Sequence, residues 1–427
     1  MDSRTEPPAQ EHSTEPVPHA LIVGPQSSGQ LYPSAARAMG MGTTVITTDR
    51  EDFRLSESAK AAADEIVRTR GVLIEELRPA VEEVHRRHPI TAVVPGDEFV
   101  VEQTAILAAD LGLPGLSPAT VAAVRDKAVM RARLHEAGVT APKFVRARDA
   151  VEVAAAGAAV GFPCVVKPTS MAGTVGVTRV DDAAGLERAY QAILEEREPV
   201  SGCLPGAEVV VESYLAGPEF SVEGYVDGRD RVHVLAITEK RLGPEPAFQQ
   251  RAHFVRPAAS VPGHERISAY VGRVTRALGI VVGAFHAELR LTDRGPVLIE
   301  IAARPAGDHI AEMVETVTGV SLIGASLAVL AGLPVPEAGP ARAAVAGIHY
   351  ASEPGLIGRS YRELAGWDEA VALPGVVEAC VHIEAGAPIP ARHDYRSRVA
   401  HVRFTAPDFA RATALRDRLD RLIRVRG

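Results

Sequence analysis

A chain of 427 residues with 46 % hydrophobic side chains has room for two to four domains with sizeable cores. Its 46 basic and 54 acidic residues leave a net charge of −8, which gives no electrostatic footprint for nucleic acid or an anionic membrane. Three cysteines, Cys164, Cys203 and Cys380, lack metal-ligand spacing, and an odd count argues against a disulfide framework, so a reducing, cytoplasmic setting is expected.

The first eighteen residues, MDSRTEPPAQEHSTEPVP, are polar and Pro-rich with no apolar core. They read as a disordered arm rather than a signal peptide. From residue 19 to about 118, the apolar strands ALIVG, TTVITTD and ITAVVP alternate with helical stretches, a pattern that predicts an α/β domain with a parallel sheet. The segment Val121 to Gly138, rich in Ala, Arg and Leu, predicts a helix. FPCVVKP, VGVTRV, VVVESYL, EFSVEGYVD and RVHVLAI follow as strands, then GAFHAELRLTDRGPVLIEIAAR as a β-hairpin and DHIAEMVETVTG as a helix. The longest apolar run, Val320 to Pro336, is broken by Gly324 and Gly332 and is too short for a transmembrane span. Residues 336–427 hold the strands VVEACVHI and VAHVRFTA and a final basic helix with Leu415, Leu419 and Leu422 at helical spacing, and predict a smaller α+β cap.

The hairpin carries the most chemistry. Strand side chains alternate faces, so His286, Glu288 and Arg290 are expected on one face, and Leu298, Glu300 and Ala302 on one face of the return strand. A turn centred on Arg294 sets Glu288 opposite Glu300, and like charges in that position repel. A cation between them would relieve the repulsion, and oxygen-only ligands favour Mg²⁺. Two solvated acids on an edge strand are the plain alternative.

Upstream, Lys167 ends an apolar strand and PTSMAGTVG follows. Gly173 and Gly176 let a backbone close over anionic oxygens, and Lys127, in RDKAVM at a helix start, could share a triphosphate with Lys167. Neither a Walker loop nor a dinucleotide-binding glycine fingerprint is present.

In order, RDKAVMRARLHEAGVTAPKF, FPCVVKPTSMAGTVGV, VVVESYLAGPEFSVEGYV and HAEL…LIEIAARPAGDHI resemble the ATP-grasp superfamily over roughly residues 90 to 335. The resemblance implies an N-terminal Rossmann-like domain (19–118), an ATP-grasp domain (119–335) with a mobile lid at about 143–211, and the C-terminal cap. It implies ATP between two α+β lobes and Mg²⁺, replaceable by Mn²⁺, on Glu288 and Glu300. Lys127 and Lys167 would contact phosphates under a lid loop at Gly173 and Gly176. Val209 to Leu215 would line adenine with Glu212 at the hinge, and Glu219 would take the ribose.

Within the superfamily the chain is most similar to L-amino acid ligases and related carboxylate–amine ligases. QQRAHFVRP sets His253 where these relatives carry a histidine beside the substrate, and EIAARPAG sets Arg304 where they hold the reacting carboxylate, with Gly307 nearby in the substrate site. The implied reaction is ATP-dependent amide formation through an acyl phosphate. Expected partners are a small carboxylate and an amine, not nucleic acid or a membrane, with a homodimer as the candidate assembly. Two positions depart from the pattern. Ala302 stands where many relatives have an asparagine, and Gln250 where many amino acid ligases have an acid for the substrate ammonium. The alternatives are a carboxylase making carboxyphosphate, a formate-using ligase of purine-synthesis type, and a catalytically silent nucleotide-binding module.

Overall fold

The computed structural model describes residues 17–427 apart from Glu198, Asp230 and His393. Most of the segment read as a disordered arm, residues 1–16, lies outside the described residues. Four short strands, β1 (His19–Val23), β2 (Gly42–Thr47), β3 (Glu65–Arg68) and β4 (Ala92–Pro95), form a parallel sheet in the order β3-β2-β1-β4. β1 is buried on both faces, which is why HALIV reads as a continuous apolar run rather than an alternating one. Ala20 and Ile22 enter one core and Leu21 and Val23 the other, as alternation requires.

The helix expected over Val121 to Gly138 is two helices, Pro118–Arg125 and Lys127–Glu136. Asp126 leaves helical geometry (φ −111°, ψ 113°), and its carboxylate accepts the N–H groups of Ala128 and Val129. A capping aspartate inside an otherwise helical composition starts a new helix, and it puts Lys127 at the first position of that helix.

A second sheet, all antiparallel, has the order β5-β8-β6-β7 from β5 (Phe144–Ala147), β6 (Cys164–Pro168), β7 (Thr178–Val180) and β8 (Val209–Ser213). Helices Ala150–Val160 and Ala183–Leu194 cover one face and bury Val153, Leu186 and Ile193 against it.

The largest sheet has eight antiparallel strands. It is built from β9 (Glu219–Asp227), β10 (Val232–Leu242), β11 (Gln250–Pro257), β12 (Val282–Thr292), β13 (Gly295–Ala302) and β14 (Val345–Ala351). After the short β15 (Glu363–Ala365), β16 (Val376–Val381) and β17 (Ala400–Ala406) complete it, and the last strand β18 (Arg424–Arg426) pairs with β15. The order is β13-β12-β9-β10-β11-β14-β17-β16. The C-terminal part read as a cap therefore continues the central sheet through β14, β17 and β16. Its own core lies under helix Phe409–Leu422.

The apolar run Val320 to Pro336 contains helix Leu322–Leu330, all nine residues of which are buried. It packs beside helix Ile310–Thr318, at 98° to it, and Tyr32 reaches it through Ser326 at 3.1 Å. Among the described residues no single helix is long and apolar enough to cross a membrane.

Candidate active site

The centre of the molecule is one face of the large sheet, and strand alternation makes it polar. β9 turns Glu219, Ser221 and Glu223 to this face while Phe220 and Val222 go to the core. Register sets Lys240 and Arg290 beside Glu219, Glu288 beside Ser221, and His286 beside Glu223. A buried charged row survives only if its members pair, and these do. Lys240 Nζ and His286 Nε2 (3.0 Å) both meet Glu288 Oε1. His286 Nδ1 lies 2.9 Å from Glu223 Oε2, and Ser221 donates to Glu223 Oε1 at 2.7 Å. Arg290 Nε lies 3.3 Å from Glu219 Oε2.

The network sets the charge states. Burial opposes the His286 cation, but Glu223 and Glu288 outweigh it and raise the imidazole to about 9. Burial likewise opposes the Glu288 anion, but Lys240 and His286 hold its carboxyl well below the usual range. At Glu219 burial wins over Lys240 and Arg290, and its pKa rises.

Glu300 faces Glu288 in register, by a route the sequence does not display. The turn pairs Thr292 with Gly295 and Leu289 with Leu298, so an unbroken ladder would put Ile299 opposite Glu288. A bulge after Leu298 adds one residue and turns Glu300 to the polar face. Leu298 therefore does not share a face with Glu300, as expected from alternation, but packs in the core with Leu289 and Ile301. Nor do the two carboxylates meet bare: Glu288 has Lys240, and Glu300 Oε2 lies 3.1 Å from Lys127 Nζ. Both Glu288 contacts fall on Oε1. A pair of carboxylates with hard oxygens fits Mg²⁺, with phosphate and water completing the shell. Ala302 offers no further ligand.

Two cavities meet over this hairpin. The larger, of about 280 Å³, is lined by the N-terminal domain (Ser28, Glu98), by Arg304 and Gly307, and by Asp308 and Arg398. The second, of about 90 Å³, runs under the four-stranded sheet of β5 to β8 past Val165, Lys167, Leu215, Phe248 and Arg290. Lys127, Gln250, Glu288 and Glu300 line both.

Of the expected nucleotide residues, Lys127, Lys167, Glu212, Leu215 and Glu219 line the second cavity, Gly173 lines the larger one, and Gly176 lines neither. Lys167 Nζ lies 2.8 Å from Glu212 Oε2, and Arg131 Nε 2.8 Å from Glu212 Oε1, all three side chains at most 5 % exposed. Two cations thus share one carboxylate. Burial opposes the Glu212 anion, but the two cations hold its carboxyl low. Lys167, desolvated and beside Arg131, has its ammonium pressed down even with Glu212 present. The uncompensated positive charge suits an anion. Leu215 and Glu219 line this cavity too, although the Leu215 carbonyl already accepts Arg290 at 2.8 Å. Gly173 and Gly176 have φ of +69° and +71°, a left-handed conformation that glycine adopts without strain. A Cβ on Gly173 would come within 2.9 Å of the Tyr395 ring.

At the larger cavity Arg304 is held by Glu98, with Nε 2.8 Å from Oε2, and by the Pro305 carbonyl. Gly307 passes so close to Ser27 that a Cβ would lie 3.1 Å from its hydroxyl. Gln250 Oε1 accepts Arg398 Nη2 at 3.4 Å. His253, expected beside the substrate, is not in either cavity. It is fully buried on β11, its Nε2 3.2 Å from Asp308 Oδ2, and Asp308 stands between it and the cavity. The register pairs His253 with Lys240, so it continues the cross-strand row of Arg290, Glu219 and Lys240 one strand further along the sheet.

Lys240, Arg290, Glu223, Arg131, Glu98, Asp308 and Arg398 join the site without a role expected from the sequence. The alternating polar residues of E-F-S-V-E and H-A-E-L-R inside apolar strands carry a readable signal for the row. Arg131, Glu98 and Arg398 arrive from distant elements and leave no local pattern.

The family model of the ATP-grasp domain matches residues 160–312, and that of L-amino acid ligase C-terminal domain 2 matches residues 358–426. Among similar proteins, uncharacterized protein y4rH of Sinorhizobium fredii is 28 % identical over 92 % of this chain and 80 % of its own length. Alanine–anticapsin ligase of Bacillus subtilis is 26 % identical over 60 % of this chain, which spans 57 % of that enzyme, less than two thirds. The crystal structure of L-amino acid ligase from Bacillus licheniformis superposes with a TM-score of 0.76 over 96 % of this chain and 99 % of that one, at 23 % identity, a likeness of fold. Residues 160–312 thus match an ATP-grasp domain and residues 358–426 the C-terminal domain of L-amino acid ligases, in that order along the chain.

Proposed function

We propose that this protein is an ATP-dependent carboxylate–amine ligase that forms an amide bond through an acyl phosphate. The observation that carries the reading is the meeting of the two cavities at Lys127, Glu288 and Glu300. A nucleotide whose phosphates point toward Lys167 and Lys127 would end at the seam. A carboxylate beside Arg304 would approach the same point from the other side. The names of alanine–anticapsin ligase and L-amino acid ligase support the reaction class.

The second cavity takes ATP, with its base against Val165, Leu215 and Phe248 near Glu212, its ribose near Glu219, and its phosphates on Lys167 and Lys127 under the loop of Gly173 and Gly176. Glu288 and Glu300 would hold Mg²⁺, which when bound offsets charge on the transferring phosphoryl group. Arg304, fixed by Glu98, presents its remaining donors to the donor carboxylate, whose oxygen attacks the γ-phosphorus as ADP leaves. The amine then attacks the acyl carbon, the oxyanion is stabilised by the same guanidinium, and phosphate leaves, carrying away the proton that the amine gives up as the amide forms. Gln250 and Gly307 border the donor. Asp308, backed by His253, is the group nearest to hand for orienting the substrate. Closure of the lid sheet would exclude the water that hydrolyses an acyl phosphate. Three free cysteines fit a cytoplasmic setting.

The test is a matrix of carboxylates and amines with ATP, read as phosphate release and as the mass of the amide. Phosphate release that needs both partners, with one amide per ADP, is the expected result. Release that follows bicarbonate or formate alone, or that no amine affects, would sink the reading.

A further inference from the structure

Outside the cavities, three histidines and two acids converge where the turn before helix Ile310–Thr318 meets β16 and β17. His309, Glu378 and His401 each bring one ligand atom to within 4.8 Å of the other two. They come from three separate elements, so helical or strand periodicity does not explain their meeting. From this geometry we propose that His309, His401 and Glu378 form a binding site for Zn²⁺, distinct from the carboxylate pair of the active site.

Two neighbours orient the imidazoles as zinc ligands require. His309 Nδ1 lies 3.0 Å from Glu312 Oε1, so its N–H donates to the carboxylate and Nε2 keeps the lone pair. His401 Nδ1 lies 2.9 Å from His382 Nε2. Two imidazole nitrogens at that distance share one proton, and with His401 as the donor its Nε2 is again the free lone pair. That Nε2 has no hydrogen-bond partner, although His401 is 3 % exposed. An unpartnered nitrogen in a buried polar cluster costs free energy unless a ligand satisfies it. The nearest acid atom is Glu378 Oε1 at 3.6 Å, beyond hydrogen-bonding range. Arg403 engages the other oxygen, Oε2, and leaves Oε1 for the metal.

Two imidazoles and one carboxylate select Zn²⁺ over Mg²⁺, which demands oxygen ligands, and leave a fourth position for water. Entry is from solvent, since the side chains of Glu378 and His309 are 38 % and 35 % exposed. The residue before His309 is Asp308, which lines the larger cavity, so zinc here would pin β16 and β17 to the turn that carries a candidate active-site acid.

The experiment uses the full chain, stripped of metal by a chelator, and Zn²⁺ alone. A single equivalent should bind and raise the melting temperature. His309→Gln and His401→Gln should abolish that equivalent. Glu312→Gln, which removes only the orienting carboxylate, should weaken it by about 10- to 100-fold. Glu300→Gln should bind Zn²⁺ as the wild type does, which separates this site from the active site and from the proposed reaction. If His401→Gln fails to fold, the half-exposed His309→Gln carries the test. Wild-type affinity in His309→Gln, or no zinc-dependent rise in the melting temperature of the unaltered chain, overturns the assignment.

Discussion

Lys127 Nζ lies 3.1 Å from Glu300 Oε2 and 2.6 Å from the carbonyl oxygen of Met171, so one ammonium ties the carboxylate hairpin to the loop that carries Gly173 and Gly176. It sits where the two cavities join, and a phosphate arriving there would compete for it. Lys127→Met removes a charge-assisted contact worth roughly 1.5–3 kcal/mol, or about 10- to 100-fold in affinity. The expected outcome of calorimetry is that loss for ATP, with binding of the donor carboxylate little changed. Unaltered ATP affinity would remove Lys127 from the phosphate site.

Glu300→Gln keeps the shape of the side chain and removes its charge. Lys127 loses its partner but keeps the Met171 carbonyl, so the fold should survive. The amide is a poorer Mg²⁺ ligand, and a loss of several kcal/mol of charge stabilisation predicts a fall in turnover of at least about 100-fold. Rate measured against Mg²⁺ concentration should show a half-saturation point displaced upward. Wild-type turnover at ordinary Mg²⁺ would end the metal assignment.

How much of this was legible depends on range along the chain. Strong apolar alternation gave EFSVEGYVD with its own limits, Glu219–Asp227. The facing of Glu288 and Glu300 was also expected, but from a turn centred on Arg294. The real turn is centred between Asp293 and Arg294, and the bulge after Leu298 restores the facing. A bulge has no sequence signature among Val297, Leu298 and Ile299, so the side of Leu298 was misplaced. His253 was expected at the substrate because its neighbours in sequence matched a motif. Its side chain points into a row whose partner, Asp308, is 55 residues away. The ion pair of Arg304 with Glu98 crosses 206 residues, and no local pattern announces it.

Arg304→Lys tests whether geometry matters beyond charge. Arg304 spends Nε on Glu98 and Nη1 on the Pro305 carbonyl, and still has donors for the cavity. A lysine ammonium is a point charge that cannot hold Glu98 and a carboxylate in one plane. Losing an oriented donor at a developing oxyanion lowers kcat by about 10²–10³. The expected result is that loss in kcat with ATP affinity unchanged. A near-native rate would make Arg304 a structural partner of Glu98 only.

His349 predicts a stability limb in acid. It is 2 % exposed on β14, and burial, with Arg416 and Arg251 adding repulsion against the pull of Asp420, lowers it from 6.5 to about 3. Between those values the unfolded chain binds a proton that the folded one refuses. Stability is then intact above pH 6.5 and declines as the pH falls toward about 3, by up to several kcal/mol. His349→Leu, which cannot take the proton, should flatten this limb in urea midpoints measured from pH 7 to pH 4. An equal decline in both proteins would assign the limb to other groups.

The choice of donor acid turns on Gln250. It lines both cavities, and a substrate ammonium beside it would find a neutral amide. It would also find a cation already there: Arg398 reaches Gln250 Oε1 at 3.4 Å while its other arm holds Asp308 at 2.8 Å. Burial opposes the Arg398 charge, but Asp308 outweighs it and keeps the guanidinium ionised. The other acid close in sequence, Glu239, is engaged by Arg241 at 2.6 Å and Arg256 at 3.6 Å and lines neither cavity. An ammonium desolvated between a neutral amide and a guanidinium is costly. The acid activated here should therefore lack a free α-ammonium near Gln250, or carry it acylated or further along the chain, and an amino acid would serve as the amine. Rates with an α-amino acid as donor, set against its des-amino and N-acyl analogues under one amine, decide this. The analogues should be the faster donors, and Gln250→Glu should not rescue the free amino acid fully, because Arg398 would claim the new carboxylate. A strong preference of the unaltered enzyme for the free α-amino acid as donor would show that another acid, with Asp308 the nearest, receives the ammonium.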